Sequence, residues 1–372
     1  MQRAARLRLP IESENPVQNS ASLNIAVIPG DGIGPELVDA ALQVMTEALL
    51  SDSIRLDVST ERAGAQTYSE TGSALLPGAL DRLRAADGII KGPVGLPDVR
   101  KPDGTEGGLL GGLLRNGLDT FANVRPVRLW AGVPSPTVHS ARDIDYVIVR
   151  ENTEGLYLAR GSGVRNHHAA ADQMMMTRHG VERIVRFAFE TARARSGAPA
   201  DDVRRVTCVD KSNVLRSFAF FRQIFDEVST EYPDIEATHM YADAAAGALV
   251  QNPAQFDVLV MENFLGDILS DLGAATAGGL GMCGSGNIGS DVAYFEPIHG
   301  SAPSLAGTDT ANPVSQIACG AMMLRRTGHS AAADRIEAAI EQAFLTHDLR
   351  LDESGCPIGG TMRAAQTVID HL

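Results

Sequence analysis

The chain has 372 residues, of which 44% are hydrophobic, 21% charged and 5% aromatic, a length that predicts two domains. Its 32 basic and 46 acidic residues give a net charge of −14, which argues against nucleic acid as a partner because the phosphate backbone would be repelled. No apolar run approaches the roughly 18 residues of a membrane helix. The four cysteines are widely spaced, without a metal or redox pattern, and we expect a cytoplasmic protein.

The predicted elements begin after an N-terminal segment. Residues 1–22 lack an apolar stretch and contain arginines, acids, asparagine and serine, so we expect a disordered extension there. Residues 23–29 are typical of a strand, and Pro35 opens a helical pattern that runs to Leu50. Similar alternation continues along the chain and predicts an α/β fold. Further strands are predicted at 88–92, 146–149, 206–209 and 256–261, and further helices at 184–195, 218–230 and 332–344.

Residues 30–36 (GDGIGPE) join the first predicted strand to the first predicted helix. Their glycine spacing is one residue short of the G-x-G-x-x-G dinucleotide pattern. A tight strand-to-helix turn that binds no ligand is therefore at least as good an interpretation.

Asp267 and Asp271 lie four residues apart after the predicted strand at 256–261. On a helix they would project from one face, where two carboxylates could bind one hard divalent cation. The alternative is that acidic residues favour the first turn of a helix because of its dipole. That alternative explains Asp267 better than Asp271, because like charges at this spacing repel each other unless something bridges them. Both interpretations stay open from these residues alone.

Several other side chains are candidates for binding or catalysis. Arg115, Arg125 and Arg150 lie beside strand-like or glycine-rich segments, and a guanidinium group suits bidentate binding of a carboxylate. Each arginine alone is more often a solvated charge. Lys211 follows a predicted strand, and residues 299–303 form a loop of small residues that suits a cofactor but would also pass for an ordinary loop. The methionines at 174–176 are predicted to lie in a helix core.

Six segments, taken together and in order, resemble the β-decarboxylating dehydrogenases, which include the isopropylmalate, isocitrate, homoisocitrate and tartrate/malate dehydrogenases. The resemblance runs from about Asn24 to about Gly360. The segments are 30–36 (GDGIGPE), 121–126 (FANVRP), 149–155 (VRENTEG), 210–213 (DKSN), 266–271 (GDILSD) and 296–303 (EPIHGSAP).

The resemblance implies a fold other than the Rossmann fold, with two α/β domains and the second inserted in the first. We expect residues 23–120 and 278–372 to form the first, cofactor-binding domain. Residues 121–277 are then the second domain, for substrate binding and dimerisation. The resemblance also implies a homodimer whose active sites take residues from both subunits.

The resemblance implies roles for individual residues. Arg115, Arg125 and Arg150 match the residues that bind a malate-type dicarboxylate substrate. Asp267 and Asp271, together with Asp243 from the partner chain, match ligands of Mg²⁺ or Mn²⁺. Lys211, also expected from the partner chain, matches the base that acts on the C2 hydroxyl, and Tyr157 matches the acid that protonates the enol carbon. The resemblance implies an oxidative decarboxylation of a 3-substituted malate, in which hydride passes from C2 to a nicotinamide.

The cofactor residues implied by the resemblance all lie in one late segment: Glu296, His299, Gly300, Ser301, Ala302, Ser304 and Asn312. NAD-dependent relatives commonly carry Asp at the position of Ser304, and NADP-dependent relatives carry a Lys-Tyr pair there. Ser304 and Leu305 match neither pattern. Serine can bind a ribose hydroxyl but brings no charge for a 2′-phosphate, so we expect NAD and leave NADP open.

The C3 substituent is expected to face residues 109–114 (LLGGLL), which contain no polar side chain. A charged substituent would find no partner there, which favours a 3-isopropylmalate-like substrate. Residues 127–134 are more similar to tartrate/malate enzymes, and residues 152–157 and 278–289 to homoisocitrate enzymes. Tartrate/malate, isocitrate, homoisocitrate and a specialised-pathway analogue therefore remain alternatives. A non-catalytic regulatory subunit is a further alternative, although such subunits typically lose the lysine, tyrosine or acidic residues present here.

Overall fold

The computed structural model describes residues 22–372, so the predicted extension lies, apart from Ser22, outside the described residues. The strands, in chain order, are β1 (Ser22–Ile28), β2 (Arg55–Thr60), β3 (Gly88–Lys91), β4 (Ala122–Arg128), β5 (Asp145–Glu151), β6 (Val164–Arg165), β7 (Ala170–Ala171), β8 (Arg205–Asp210), β9 (Glu236–Tyr241), β10 (Val258–Met261), β11 (Gly284–Ile288) and β12 (Ala293–Pro297). The helices are α1 (Gly34–Leu50), α2 (Ala65–Thr71), α3 (Ala79–Arg84), α4 (Gly111–Gly117), α5 (Arg178–Ala194), α6 (Arg216–Ser229), α7 (Ala242–Gln251), α8 (Asn263–Thr276), α9 (Val314–Arg326), α10 (Ser330–Leu345) and α11 (Thr361–Ile369). The α/β class is thereby confirmed. No helix within residues 22–372 is both long and apolar enough to cross a membrane.

The described chain divides into two compact units. The terminal unit comprises residues 22–119, Trp130–Pro136 and Ala277–Leu372, and the central unit comprises Thr120–Leu129 and Thr137–Thr276. The assignment of cofactor binding to residues 23–120 with 278–372, and of substrate binding to 121–277, stays a prediction.

The terminal unit is built on strands in the order β2-β1-β3-β12-β11. Strands β2, β1, β3 and β12 are parallel to one another, and β11 pairs antiparallel with β12. Strands β1 and β3 carry near-continuous apolar runs because helices cover such sheets. Helix α1 packs against α9 and α11, and Leu110 and Leu114 join the core around Ile28 and Tyr294.

The central unit is built on strands in the order β4-β5-β10-β8-β9. Strand β4 pairs antiparallel with β5, whereas β5, β10, β8 and β9 are parallel. The carboxyl ends of these parallel strands therefore meet at one edge. Arg150 lies near the end of β5, Lys211 follows β8, and α8 begins two residues after β10. The topology thus brings Arg150 to Asn263, the first residue of α8, which lies 113 residues later in the sequence.

The prediction that the methionines at 174–176 lie in a helix core is wrong. They lie in an extended segment between β7 and α5, and Met175 is 52% exposed. Thr177 is the N-cap of α5, because its side chain accepts a hydrogen bond from the backbone of Gly180. The helix therefore starts only after the methionine run.

Candidate active site

Two arginines and two aspartates form a cluster in the central unit. Asp267 and Asp271 lie four residues apart on α8, the helical spacing predicted for them. The Arg125 Nη1 atom lies 3.2 Å from Oδ1 of Asp271, and its Nη2 atom lies 3.5 Å from Oδ1 of Asp267. Arg150, which is only 1% exposed, contacts the same Asp267 oxygen through Nη1. Two largely desolvated guanidinium groups thus neutralise the acidic pair.

Neighbouring amide and hydroxyl groups fix the orientation of both arginines. The Asn263 Oδ1 atom accepts hydrogen bonds from Nε and Nη2 of Arg150 at 3.0 and 2.8 Å. Arg125 donates from Nε to Oδ1 of Asn123 and from Nη1 to Oγ of Ser270, both at 2.6 Å. Asn263, Asn123 and Ser270 were not predicted as site residues. Asn123 lies inside the FANVRP motif and Ser270 inside the GDILSD motif, and these motifs are the signals that could have indicated them.

The acidic pair has the chemistry of a hard-cation site, since carboxylate oxygens are the preferred ligands of Mg²⁺. Both side chains remain partly exposed. Burial raises the pKa of Asp271, the charge of Arg125 opposes that rise, and the charge of Asp267 adds to it. A cation between the two would relieve this repulsion, so the residues fit such an ion. Within residues 22–372, no group of three His, Cys, Asp or Glu side chains is placed to hold one metal. The third ligand predicted from a second chain stays a prediction.

Tyr157 reaches the same cluster from the short 3-10 helix Leu156–Ala159. Its hydroxyl donates a hydrogen bond to Oδ2 of Asp267 at 2.8 Å. The guanidinium carbons of Arg150 and Arg160 lie 5.8 Å from the centre of its ring. Burial, the hydrogen bond to Asp267 and the charge of Asp267 raise the pKa of Tyr157, although the two arginines oppose the shift. The phenol therefore keeps its proton at neutral pH and can act as a hydrogen-bond donor.

Lys211 and Asp243 form a separate pair at the same edge of the central unit. Lys211 follows β8, and Asp243 lies in the first turn of α7, directly after β9. Because β8 and β9 are parallel neighbours, the two ends meet, and Lys211 Nζ donates to Oδ1 of Asp243 at 2.6 Å. This hydrogen bond is the main reason that the pKa of Asp243 lies below its usual range. The Asp243 carboxylate is largely exposed.

The predicted cofactor residues lie in the terminal unit, beginning with Glu296 in β12. The buried Lys91 of β3 forms an ion pair with Glu296, and Asn287 Nδ2 donates to Glu296 Oε1 at 2.9 Å. Burial by itself raises the pKa of Glu296, but the charges of Lys91 and Arg115 outweigh it and the pKa falls below its usual value. Glu296 is therefore a largely buried carboxylate that stays ionised. Lys91 and Asn287 were not predicted as site residues, because neither lies in one of the six motifs.

The glycine turn at 30–36 packs against residues 299–303, the predicted cofactor loop. Gly32 has a φ of +59°, and a Cβ atom there would lie 2.0 Å from the carbonyl oxygen of Ser301. The Ile33 N–H donates to that same oxygen at 2.9 Å. The buried Asp31 carboxylate accepts hydrogen bonds from the backbone N–H groups of Ala65, Gln66 and Gly95. The glycine spacing thus serves close backbone packing in the strand-to-helix turn.

Several other predicted cofactor residues have polar groups that a ligand could bind. The buried Nε2 atom of His299 has no hydrogen-bond partner within the described residues, and burial lowers the pKa of this imidazole. Gly300 faces open space, Ser304 is exposed, and Ala302 has a φ of +35°. Asn312 instead binds Val314 N and Gly355 O at 3.1 and 3.2 Å. The unsatisfied imidazole nitrogen and the exposed hydroxyl fit a polar ligand such as a nucleotide.

Arg115 lies on α4 of the terminal unit, where its charge acts on Glu296. The apolar residues before it face two ways. Leu110 and Leu114 are buried in the core, whereas Leu109 and Leu113 are 38% and 49% exposed. Leu113 lies on α4, and Leu109 lies two residues before the helix begins. The terminal unit therefore presents apolar side chains beside Arg115.

The chain is similar to known dehydrogenases over nearly its whole length. A family model described as isocitrate/isopropylmalate dehydrogenase matches residues 24–363. The chain is 42% identical over 329 residues to the 3-isopropylmalate dehydrogenase of Streptomyces coelicolor, covering 86% of this chain and 92% of that protein. It is 40% identical over 350 residues to the 3-isopropylmalate dehydrogenase of Corynebacterium efficiens, covering 92% and 99%. The crystal structure of isocitrate dehydrogenase from Methylococcus capsulatus matches with a TM-score of 0.82 at 38% identity, covering 94% of this chain and 99% of that chain.

These matches span nearly the whole chain and agree with the six ordered motifs, and they confirm the predicted fold. The chain therefore belongs to the isocitrate/isopropylmalate dehydrogenase family, and the protein is an oxidatively decarboxylating dehydrogenase.

Proposed function

We propose that the enzyme oxidises and decarboxylates a 3-substituted malate whose C3 substituent is apolar, with 3-isopropylmalate as the leading candidate. The observation that carries this proposal is the cluster of Arg125, Arg150, Asp267 and Asp271 with the Tyr157 hydroxyl bound to it. It combines cations for a dicarboxylate, oxygen ligands for a metal, and a protonated phenol. The relatives from Streptomyces coelicolor and Corynebacterium efficiens, both named 3-isopropylmalate dehydrogenase, support the choice of substrate.

The arginines supply the binding energy for the substrate carboxylates. Arg125 and Arg150 are desolvated and oriented by side-chain hydrogen bonds, so their donors are pre-organised for a carboxylate. We propose that Arg115 contributes the third guanidinium. Three fixed positive charges would overcome the repulsion between a dicarboxylate and a protein of net charge −14.

The acidic residues would hold the divalent metal, Mg²⁺ or Mn²⁺. Asp267 and Asp271 supply carboxylates from one chain, and the partner subunit's Asp243 would supply a third. When bound, such a cation polarises the C2 oxygen as a Lewis acid and stabilises the negative charge left when CO₂ departs. The exposure of the Asp243 carboxylate supports its availability to a second chain, and a homodimer with shared active sites is part of the proposal.

Two residues would move protons. Lys211 would accept the proton of the C2 hydroxyl as hydride leaves C2, and its contact with Asp243 means that base and metal ligand would enter the partner's site together. Tyr157 would donate a proton to C3 after the C3 carboxylate is lost as CO₂. The raised pKa of this phenol keeps that proton available at neutral pH.

NAD is the proposed hydride acceptor, held by Glu296, His299, Gly300, Ser301, Ala302, Ser304 and Asn312. Ser304 is exposed and can bind a ribose hydroxyl, whereas it carries no charge to pair with a 2′-phosphate. The unsatisfied Nε2 of His299 would gain a partner on cofactor binding. The four cysteines are reduced thiols, which supports a cytoplasmic location.

Two exposed leucines, one just before α4 and one on it, support an uncharged C3 substituent. Leu109 and Leu113 offer aliphatic surface, and a carboxylate buried against it without a partner costs several kcal/mol. Isocitrate is the second candidate, because one of the similar solved structures, from Methylococcus capsulatus, is an isocitrate dehydrogenase.

The test is a substrate panel. The purified protein would be assayed with NAD and Mn²⁺ against 3-isopropylmalate, isocitrate, homoisocitrate, tartrate and malate, following NADH absorbance and CO₂ release together. We expect the highest kcat/KM with 3-isopropylmalate and one CO₂ per NADH. Faster turnover of isocitrate would replace the substrate assignment, and NADH without CO₂ would remove decarboxylation. Absence of turnover with all five would contradict the proposed function.

A further inference from the structure

Glu262 is a buried carboxylate, 1% exposed, between β10 and α8. It lies outside the six motifs and has no part in the chemistry proposed above. A carboxylate in such a position is expensive unless its oxygens are hydrogen-bonded. Its bonding partners therefore indicate what it does.

One carboxylate oxygen caps the helix that carries the aspartates. Glu262 Oε2 accepts hydrogen bonds from the backbone N–H groups of Phe264 and Leu265 at 2.9 and 3.2 Å. These are among the N–H groups that the first turn of a helix leaves unpaired. Glu262 thus fixes the start of α8, one turn before Asp267.

The other oxygen binds the segment that carries the phenol. Glu262 Oε1 accepts a hydrogen bond from the backbone N–H of Leu156 at 2.9 Å, one residue before Tyr157. The approach is close, because a Cβ atom on Gly155 would lie only 2.1 Å from this oxygen. Gly155 has a φ of +78°, so glycine meets both demands at that position.

We propose that Glu262 is a positioning residue. It holds the short helix Leu156–Ala159 at a fixed position relative to the start of α8, and so sets the contact between the Tyr157 hydroxyl and Asp267. The adjacent Asn263 adds to this junction. It orients Arg150 through Oδ1 and donates from Nδ2 to the carbonyl oxygen of Glu154 at 3.1 Å. The inference rests on the proposed function only for the role of Tyr157 as proton donor.

Two substitutions separate the connection from the helix cap. Glu262→Gln keeps the length of the side chain but has a single acceptor oxygen, so either Leu156 or the start of α8 faces an NH₂ group. Glu262→Asp is one methylene shorter and is a preferred N-cap residue, so it keeps the cap of α8 while losing the reach to Leu156. If Glu262 acts only by stabilising α8, Glu262→Asp should behave like the wild type.

Asp31→Asn is the matched control. Asp31 is likewise a buried carboxylate that accepts three backbone hydrogen bonds, but it lies in the terminal unit. It reports what the loss of such a carboxylate does to the protein in general.

The first readout needs no turnover. The protein contains six tyrosines, so ¹³Cζ-tyrosine labelling should give six NMR signals, of which Tyr157→Phe identifies one. We expect both Glu262 variants to shift that signal, and Asp31→Asn to leave it in place. Faster amide exchange at Leu156 should accompany the shift. An unmoved Tyr157 signal in Glu262→Asp would overturn the inference, because that variant keeps the cap of α8 and loses only the connection to Leu156.

The second readout is kinetic. We expect each Glu262 substitution to lower kcat about 10- to 100-fold with little change in KM, as for other residues that position a reacting group. In the Tyr157→Phe background the same substitution should have little further effect, whereas Asp31→Asn should keep its full effect there. If the kcat losses of the Glu262 and Tyr157 substitutions multiply in the double variant, the inference is also overturned. If the wild type turns over none of the malates but the NMR signal still moves, the positioning role stands and the proposed function fails.

Discussion

Replacing Gly32 by alanine tests whether the glycine turn holds the cofactor loop in place. Gly32 has a φ of +59°, a region that L-residues avoid. The alanine Cβ would also lie 2.0 Å from the Ser301 carbonyl oxygen. Since the atom in the way belongs to the backbone, relief requires the cofactor loop itself to move.

The expected size of the effect follows from these two terms. The left-handed conformation costs an alanine about 1–2 kcal/mol. Displacing the loop breaks the Ile33 N–H to Ser301 O hydrogen bond of 2.9 Å, which adds about 1 kcal/mol. Gly32→Ala should therefore lower the free energy of unfolding by about 2–3 kcal/mol. Gly72 is the control, because its φ is +76° but a Cβ there meets nothing within 4 Å, so Gly72→Ala carries only the first cost.

Equilibrium urea unfolding and the KM for NAD together check this reasoning. We expect Gly32→Ala to be less stable than Gly72→Ala and to raise the KM for NAD about tenfold, the equivalent of about 1.4 kcal/mol. Gly72→Ala should leave the KM for NAD unchanged. Equal losses of stability in the two variants, with equal KM values, would refute the idea that the turn supports the loop.

Other predictions concern the site residues. Lys211→Met should abolish turnover while the circular dichroism spectrum stays native, and retained activity would remove Lys211 as the base. Asp267→Asn should raise the Mn²⁺ concentration for half-maximal activity at least tenfold, because one of two carboxylates in the chain is lost; an unchanged Mn²⁺ curve would contradict the ligand role. Ser304→Asp should lower the KM for NAD if residue 304 meets the ribose, and an unaltered value would place the ribose elsewhere. Burial lowers the pKa of His299, so the unfolded chain binds its proton more readily and stability falls as the pH drops below about 6.5. Urea unfolding of His299→Gln between pH 5 and 7 should therefore show a shallower pH dependence than the wild type, and identical slopes would exclude the contribution of His299.

The sequence predicted the elements of this site better than the contacts between them. The strand at 23–29 and the helix from Pro35 are found as β1 and α1, and the spacing of Asp267 and Asp271 is found on α8. Such features depend on local periodicity, which a single sequence displays. The roles assigned to these residues stay predictions.

The supporting residues escaped prediction because they act across long sequence separations. Asn263 orients Arg150, which lies 113 residues earlier, and Lys91 pairs with Glu296, which lies 205 residues later. No pattern in one sequence distinguishes these side chains from ordinary polar residues. The methionine run shows the converse error, because an apolar segment that precedes the Thr177 N-cap was assigned to the helix that follows. The glycine turn remained ambiguous because both of its interpretations require glycine.

The position of Arg125 between Asp267 and Asp271 has a thermodynamic consequence. With the proposed roles, a cation must draw the aspartates away from this guanidinium, and a dicarboxylate must draw the guanidinium away from the aspartates. Binding of the cation therefore frees Arg125 for the dicarboxylate, and binding of the dicarboxylate frees the aspartates for the cation. The first ligand to bind thus bears part of the free-energy cost of breaking these ion pairs, and the second ligand binds more tightly. This coupling is reciprocal by thermodynamic necessity. The factor by which the cation raises the affinity for the dicarboxylate equals the factor by which the dicarboxylate raises the affinity for the cation. The ion pairs of Arg125 with Asp267 and Asp271 thus couple the binding of the cation to the binding of the dicarboxylate.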